Sequence, residues 1–233
     1  MPIIITINLD PDGNPLTPDG FITLDTNGDG TPEATIPVLG LCFLPGTQIS
    51  TPQGPVAIDA LKRGDLVTTA DGATEPVRWI GRQTVSKTFA GSSMPICVKA
   101  GALGENLPVR DLFVSPGHAL MVDGVLVEAG ALINGTSIVR HTDMPETFTY
   151  FNVELAEHSL ILAEGTQAES FVDNVSRRAF DNWAEHEALG DTAPIAEMDL
   201  PRAKASRQVP AAIQQRLAAR AGALFGSVAA KAA

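Results

Sequence analysis

The chain has 233 residues, 44% hydrophobic and 18% charged, which is enough for one or two domains with a packed core and too apolar for a disordered tail. With 21 Gly and 17 Pro against 5% aromatic residues, the composition predicts many short strands and turns rather than a helix bundle. The net charge is −11, but residues 201–233 hold six bases and no acid, leaving ten bases against 27 acids, a net of −17, on the first 200 residues. Such a body repels a phosphate backbone, which argues against nucleic acid as a partner. Cys42 and Cys97 permit at most one disulfide and exclude a Cys-rich zinc site, and Cys97, in the strand-like PICVK, reads as a small core residue.

In chain order, residues 1–40 read as a short β-rich leader. MPIIITINLD lacks a basic n-region and its apolar run is broken by Thr6 and Asn8, so no signal peptide is expected. No apolar stretch approaches the roughly 20 residues of a membrane span. Both point to a soluble chain, cytoplasmic or exported without a signal peptide. Asp25, Asn27, Asp29 and Glu33 then occupy positions one, three, five and nine of an acidic loop with Gly30 at six. With the Thr31 carbonyl added, this is the oxygen set that Ca²⁺ prefers, so calcium is a candidate cofactor. Position twelve is Ile36 rather than a bidentate Glu, and Asn-Gly and Asp-Gly also make plain hairpin turns. From Leu41 to about Asp173, strand-length runs such as GDLVTTADG, MPICVKAGAL and VLVEAGALINGTSIV alternate with Gly, Asp and Asn turns, predicting an all-β body. Residues 176–189 predict a helix with Phe180 and Trp183 on one face. After a Pro- and Ala-rich linker, residues 211–231 predict a second helix with Ile213, Leu217, Leu224 and Val228 on one face and Arg216 and Arg220 along its edge, suited to docking on the acidic body.

The most informative stretch is Cys42-Phe43-Leu44-Pro45-Gly46-Thr47, followed by Thr51, Gly54, Ile58, Leu61 and Gly64-Asp65-Leu66-Val67. It resembles the opening of Hint domains, the shared fold of Hedgehog autoprocessing domains and inteins. Ser115-Pro116-Gly117-His118 resembles the family's second motif, with Ser where the family usually has Thr three residues before a His. YFNVELAEHSLILAEG, Tyr150 to Gly165, resembles the late motif that carries His158. With AGAL at Ala100 to Leu103 and LING at Leu132 to Gly135, the likeness is to the bacterial Hint-like subfamily. It implies an all-β Hint fold over residues 41–175, preceded by the leader 1–40 and followed by a helical extension 176–233.

The chemistry accounts for the residue types. A thiol one residue downstream of a peptide carbonyl attacks it through a five-membered ring, turning the Leu41–Cys42 amide into a thioester. The resemblance implies Cys42 as nucleophile, His118 as the acid that protonates the departing nitrogen, Ser115 as a hydrogen-bonding group on the scissile amide or the oxyanion, and His158 as a supporting group. The substrate is then the chain's own N-terminal segment and the co-substrate water or a small nucleophile, a cleavage that needs no cofactor. Splicing is not expected, because Asn174 follows Asp173 rather than His and precedes Val175 rather than a nucleophile. The comparable strand VRWIGRQ has no carboxylate to activate a sterol hydroxyl. The alternatives are an inert secreted Hint-like β module that binds Ca²⁺ or a partner, and a cysteine hydrolase acting in trans. His141 and His186 fall in no motif and read as solvated.

Overall fold

The structure, a computed structural model, describes residues 21–24, 34–37, 41–173, 175–190 and 193–226. Strands β1 (Phe21–Leu24) and β2 (Ala34–Pro37) form an antiparallel pair of their own, with Leu24 opposite Ala34. The connection between them, which carries Asp25, Asn27, Asp29, Thr31 and Glu33, lies outside the described residues, as does Asn174.

The body is all-β. Its strands are β3 (Gln48–Ile49), β4 (Val56–Ala57), β5 (Leu66–Thr68), β6 (Thr74–Pro76), β7 (Trp79–Ser86), β8 (Ile96–Val98), β9 (Leu112–Val114), β10 (Ala119–Val122), β11 (Val125–Glu128), β12 (Ile138–Arg140), β13 (Thr147–Glu154), β14 (Leu160–Ala163), β15 (Thr166–Glu169) and β16 (Arg202–Ala203). The largest sheet runs β16-β11-β10-β15-β14-β3-β4, and β12-β8-β9 and the long β7–β13 pair pack beside it. Two hairpins of the large sheet close through two-residue turns with both residues at positive φ, Asp123-Gly124 (49° and 81°) and Glu164-Gly165 (48° and 75°). This is the turn whose twist matches the flanking strands, and Gly adopts it without a Cβ clash. Glu164 tolerates its place because its buried carboxylate accepts the N–H of Gln48 at 2.8 Å and pairs with Arg110 at 2.6 Å.

Two apolar clusters fill the body. The larger is built around Ile49, Leu112, Leu120 and Ile161, the smaller around Trp79, Tyr150, Phe171 and Phe180, and Cys42 belongs to the smaller. The expected helix over 176–189 is broken. A 3₁₀ turn at Arg177–Ala179 is followed by α1 (Trp183–Glu187), because residues 181–182 pair instead with the edge of β7. Asn182 accepts the N–H of Arg82 at 2.8 Å and donates to the carbonyl of Ile80 at 2.9 Å, while Asp181 accepts the N–H of Thr84 at 2.8 Å. Phe180 is thereby buried against Trp79, and Trp183 lies under Arg178 on the surface side.

The terminal helix α2 spans Ala211–Phe225 and docks on the body through Ile213, Leu217 and Ala221. Arg216 pairs with Asp123 and reaches the carbonyl of Leu103, as the charge pattern suggested. Leu224, expected on the buried face, is 47% exposed, and Val228 lies outside the described residues. Leu217→Ala should therefore destabilise the protein by about 2–5 kcal/mol and Leu224→Ala by less than about 1 kcal/mol, read as denaturant midpoints. Equal losses at the two positions would contradict this docking. No helix among the described residues is long and apolar enough to cross a membrane.

Candidate active site

Residues 42–44 thread between β9 and β13. Phe43 exchanges both backbone hydrogen bonds with Phe151 at 2.8 Å, Leu44 N–H donates to the Phe113 carbonyl at 3.1 Å, and Ser115 N–H donates to the Cys42 carbonyl at 2.8 Å. The Pro45-Gly46 turn ends this segment, with Gly46 at φ 80° and the Thr47 hydroxyl donating back to the Leu44 carbonyl at 2.8 Å. The backbone at Cys42 is thus clamped from two sides before any side chain acts. Leu41 is buried, and Cys42 is fully buried among apolar and aromatic groups. Burial pushes the Cys42 thiol well above its ordinary range, so it rests protonated. Cys97 is also buried and free, its thiol pushed up to about 11 by burial and by the Asp111 carboxylate.

The turn leaving β9 brings the second motif onto this segment. Ser115 Oγ accepts the N–H of Cys42 at 3.0 Å, 73 residues away in sequence. That nitrogen is the one that leaves if the Leu41–Cys42 bond is cut. His118 N–H donates to the Ser115 carbonyl at 3.1 Å, and Ala129 N–H to the His118 carbonyl at 2.9 Å, which holds the turn against β11. The His118 ring packs on Phe43, centroids 4.2 Å apart, and is fully buried. Its Nε2 lies 3.1 Å from the backbone carbonyl of Glu169. A carbonyl only accepts, so Nε2 carries the proton and Nδ1 keeps its lone pair. Nδ1 is buried with no partner in hydrogen-bond geometry among the described residues. Burial, with a smaller push from Arg202, pulls the His118 pKa down to about 4, although Glu169 and the Cys42 backbone favour the charged form. With its pKa held that low, His118 rests neutral at neutral pH.

His158 is brought near the others through an intermediary. Its Nδ1 accepts the N–H of Met198 at 3.0 Å, and its Nε2 lies 3.3 Å from Glu169 Oε2. Glu169 was not apparent from the sequence, yet it is fully buried at the centre of the polar network. Its backbone carbonyl holds the His118 ring, and its carboxylate accepts the N–H of Ala119 at 2.6 Å and pairs with Arg202 at 2.6 Å. Burial pushes the carboxyl up, but the bonds from His158 and Arg202 and the neighbouring positive charges together outweigh it and hold it below the usual range. No local pattern marks this residue, because neighbouring positions on both sides, Ala168 and Ser170, are buried as well and its partners lie 11 to 51 residues away. His186 is not solvated: it is buried and lies 2.9 Å from the Glu154 carboxylate, which Arg177 also binds at 2.7 Å. Among the described residues no group of His, Cys, Asp and Glu is arranged to hold a metal ion.

The sequence profile of the Hint domain matches residues 41–175, more than half of the chain. The chain belongs to the Hint family. Self-processing is the activity typical of this family, and the all-β body over the matched residues is the corresponding fold. Solved Hint-type structures similar to it include the gp41-1 intein, 14% identical over 56% of this chain and 98% of that one with a TM-score of 0.41. The bacterial intein-like domain from Clostridium thermocellum is 20% identical over 56% of this chain and 98% of that one, with a TM-score of 0.39. No curated protein sequence matches this Hint chain.

Proposed function

We propose that this Hint domain is a single-turnover, cysteine-dependent autoprotease that cuts its own chain between Leu41 and Cys42. The observation that carries the reading is the hydrogen bond from Cys42 N–H to Ser115 Oγ, because it engages the leaving nitrogen in a turn that also holds an unprotonated imidazole. The Cys42 sulfur attacks the Leu41 carbonyl carbon, and its proton passes to His118 Nδ1. The imidazolium returns that proton to the Cys42 nitrogen as the C–N bond breaks. The products are a thioester joining Leu41 to Cys42 Sγ and a free amine on Cys42. Water, or a small thiol, amine or alcohol, then attacks the same carbonyl and restores the thiol. An amide is more stable than a thioester, so protonation of the nitrogen is the step that makes the shift productive. His158 supports this arrangement from behind Glu169.

A second reading, an inert Hint-like module that binds Ca²⁺ or a partner, draws on the complete burial of Cys42 and its raised thiol pKa. Mass spectrometry of the chain fused to foreign sequences at both ends separates the two. Self-cleavage yields a fragment ending at Leu41, as a free carboxylate or with the mass of an added nucleophile, and residues 42–233 remain in one piece. Hydroxylamine or a thiol accelerates it by intercepting the thioester. A ligated product lacking residues 42–174 would contradict the proposal, and a chain left intact even with hydroxylamine would leave the inert module.

A further inference from the structure

The matched Hint region ends at residue 175, yet the charge that balances its buried polar network comes from beyond it. Glu169 is 0% exposed, and a carboxylate removed from water is tolerated only when its oxygens are occupied. Arg202 occupies them as a fork, with Nη2 at 2.6 Å from Oε2 and Nη1 at 3.3 Å from Oε1, and its own side chain is only 12% exposed. Backbone pairing sets this reach. Strand β16 adds to β11 as a parallel edge strand with Leu126 opposite Arg202, and Leu126 N–H donates to the Pro201 carbonyl at 2.8 Å. The same segment supplies Glu197 to the Arg202 Nε and the Met198 N–H to His158 Nδ1. Glu169 in turn grips His118 twice, through the ring by its backbone carbonyl and through the main chain by its carboxylate on Ala119 N–H.

We propose that residues 197–203 are a working part of the catalytic centre, in which Arg202 is a positioning residue that holds His118 in its tautomer and orientation through Glu169. A planar bidentate fork fixes the carboxylate plane, which a point charge does not. Fixing that plane holds the Ala119 N–H grip directly and, by anchoring the main chain at His118, steadies the Nε2–H bond to the Glu169 carbonyl through it. The titratable and charged groups around the pair are Glu169 and His158 on the β14–β15 side, Glu128 on β11, and Glu197, Arg202 and Lys204 on the extension. Without Arg202, the Glu169 charge acts on His118 without the opposing guanidinium, so His118 takes up a proton at higher pH and its Nε2–H bond loosens.

The rate part of this inference rests on the self-cleavage reading, but the histidine itself can be observed without it. In the full-length Cys42→Ala chain, side-chain NMR follows the His118 titration and the exchange of its Nε2–H, with the resonance assigned by its loss in His118→Gln. Arg202→Met should raise the His118 midpoint by about one unit and speed Nε2–H exchange by about tenfold. Arg202→Lys keeps the charge but not the fork, so the midpoint should stay and the exchange should still quicken. In the Cys42 chain, Arg202→Met should slow release of residues 1–41 by about 10²-fold, with Arg202→Lys recovering part of it. A folded Arg202→Met chain with unchanged midpoint and exchange would overturn the proposal. If Arg202→Met does not fold, unchanged exchange in Arg202→Lys would overturn it. NMR changes with no release in the parent chain would uphold the positioning role and defeat the cleavage reading.

Discussion

Replacing Cys42 with alanine is expected to leave the chain at full mass under conditions in which the parent chain divides into residues 1–41 and 42–233. The loss should be complete, because without the sulfur there is no thioester and the remaining route is unassisted amide hydrolysis. His118→Ala should slow release by about 10²–10⁴-fold, the usual worth of a positioned proton-transfer group. Ser115→Ala should cost less, about tenfold, for one hydrogen bond to the scissile nitrogen. Time courses by intact mass would read all three. Cleavage that persists in Cys42→Ala would implicate a contaminating protease and remove the basis for the mechanism. The rate of the first step should also show no inflection near pH 6.5. His118 is held down to about 4 by burial, so it is already neutral throughout that range and the acid limb lies near pH 4. An inflection near 6.5 that disappears in His118→Ala would mean that the imidazole is more exposed to water than its position here implies.

Unfolding free energy should fall by about 3 kcal/mol as the pH drops from 6.5 to 4 on account of His118 alone, since each unit of pKa difference is worth about 1.4 kcal/mol. The direction follows from the depressed value. The unfolded chain binds a proton at an ordinary histidine pKa while the folded chain refuses it, so stability is fully present above 6.5 and is lost as the pH falls through about 4. Glu128 works the other way. Burial raises its carboxyl to about 7, so the folded chain binds that proton more readily than the unfolded chain and gains stability as the pH falls toward 4.5. The difference between the parent chain and His118→Gln, measured by denaturant unfolding at matched pH, therefore isolates the His118 contribution. Parallel losses in the two chains over this window would sink it.

What could be read from the residues alone is what short stretches of chain determine by themselves. Asp123-Gly124 specifies a hairpin turn because two positive φ values are a property of those two residues. The alternation of short apolar runs and turns specified an all-β body, and the amphipathic spacing of Ile213 and Leu217 specified a docked helix. The Cys42 and Ser115-to-His118 motifs were legible because each is a short contiguous run, and it is the resemblance of these runs to the Hint family that implied their chemistry. Other features needed the folded chain. The helix expected over residues 176–189 gives way because Asn182 finds backbone partners on β7, 100 and 102 residues away, and His186 is buried because Glu154 waits for it on β13. The tautomer of His118 depends on the backbone carbonyl of Glu169, 51 residues on, and the charge of Glu169 depends on Arg202, 33 residues further. A buried charge is stable only in the presence of its partner, and a surface Glu and a buried Glu are the same letter until the fold brings that partner into contact. Sequence by itself therefore named Cys42, Ser115, His118 and His158 as candidates, whereas the long-range register of β10, β15 and β16 decided which groups surround them and in what protonation state they rest.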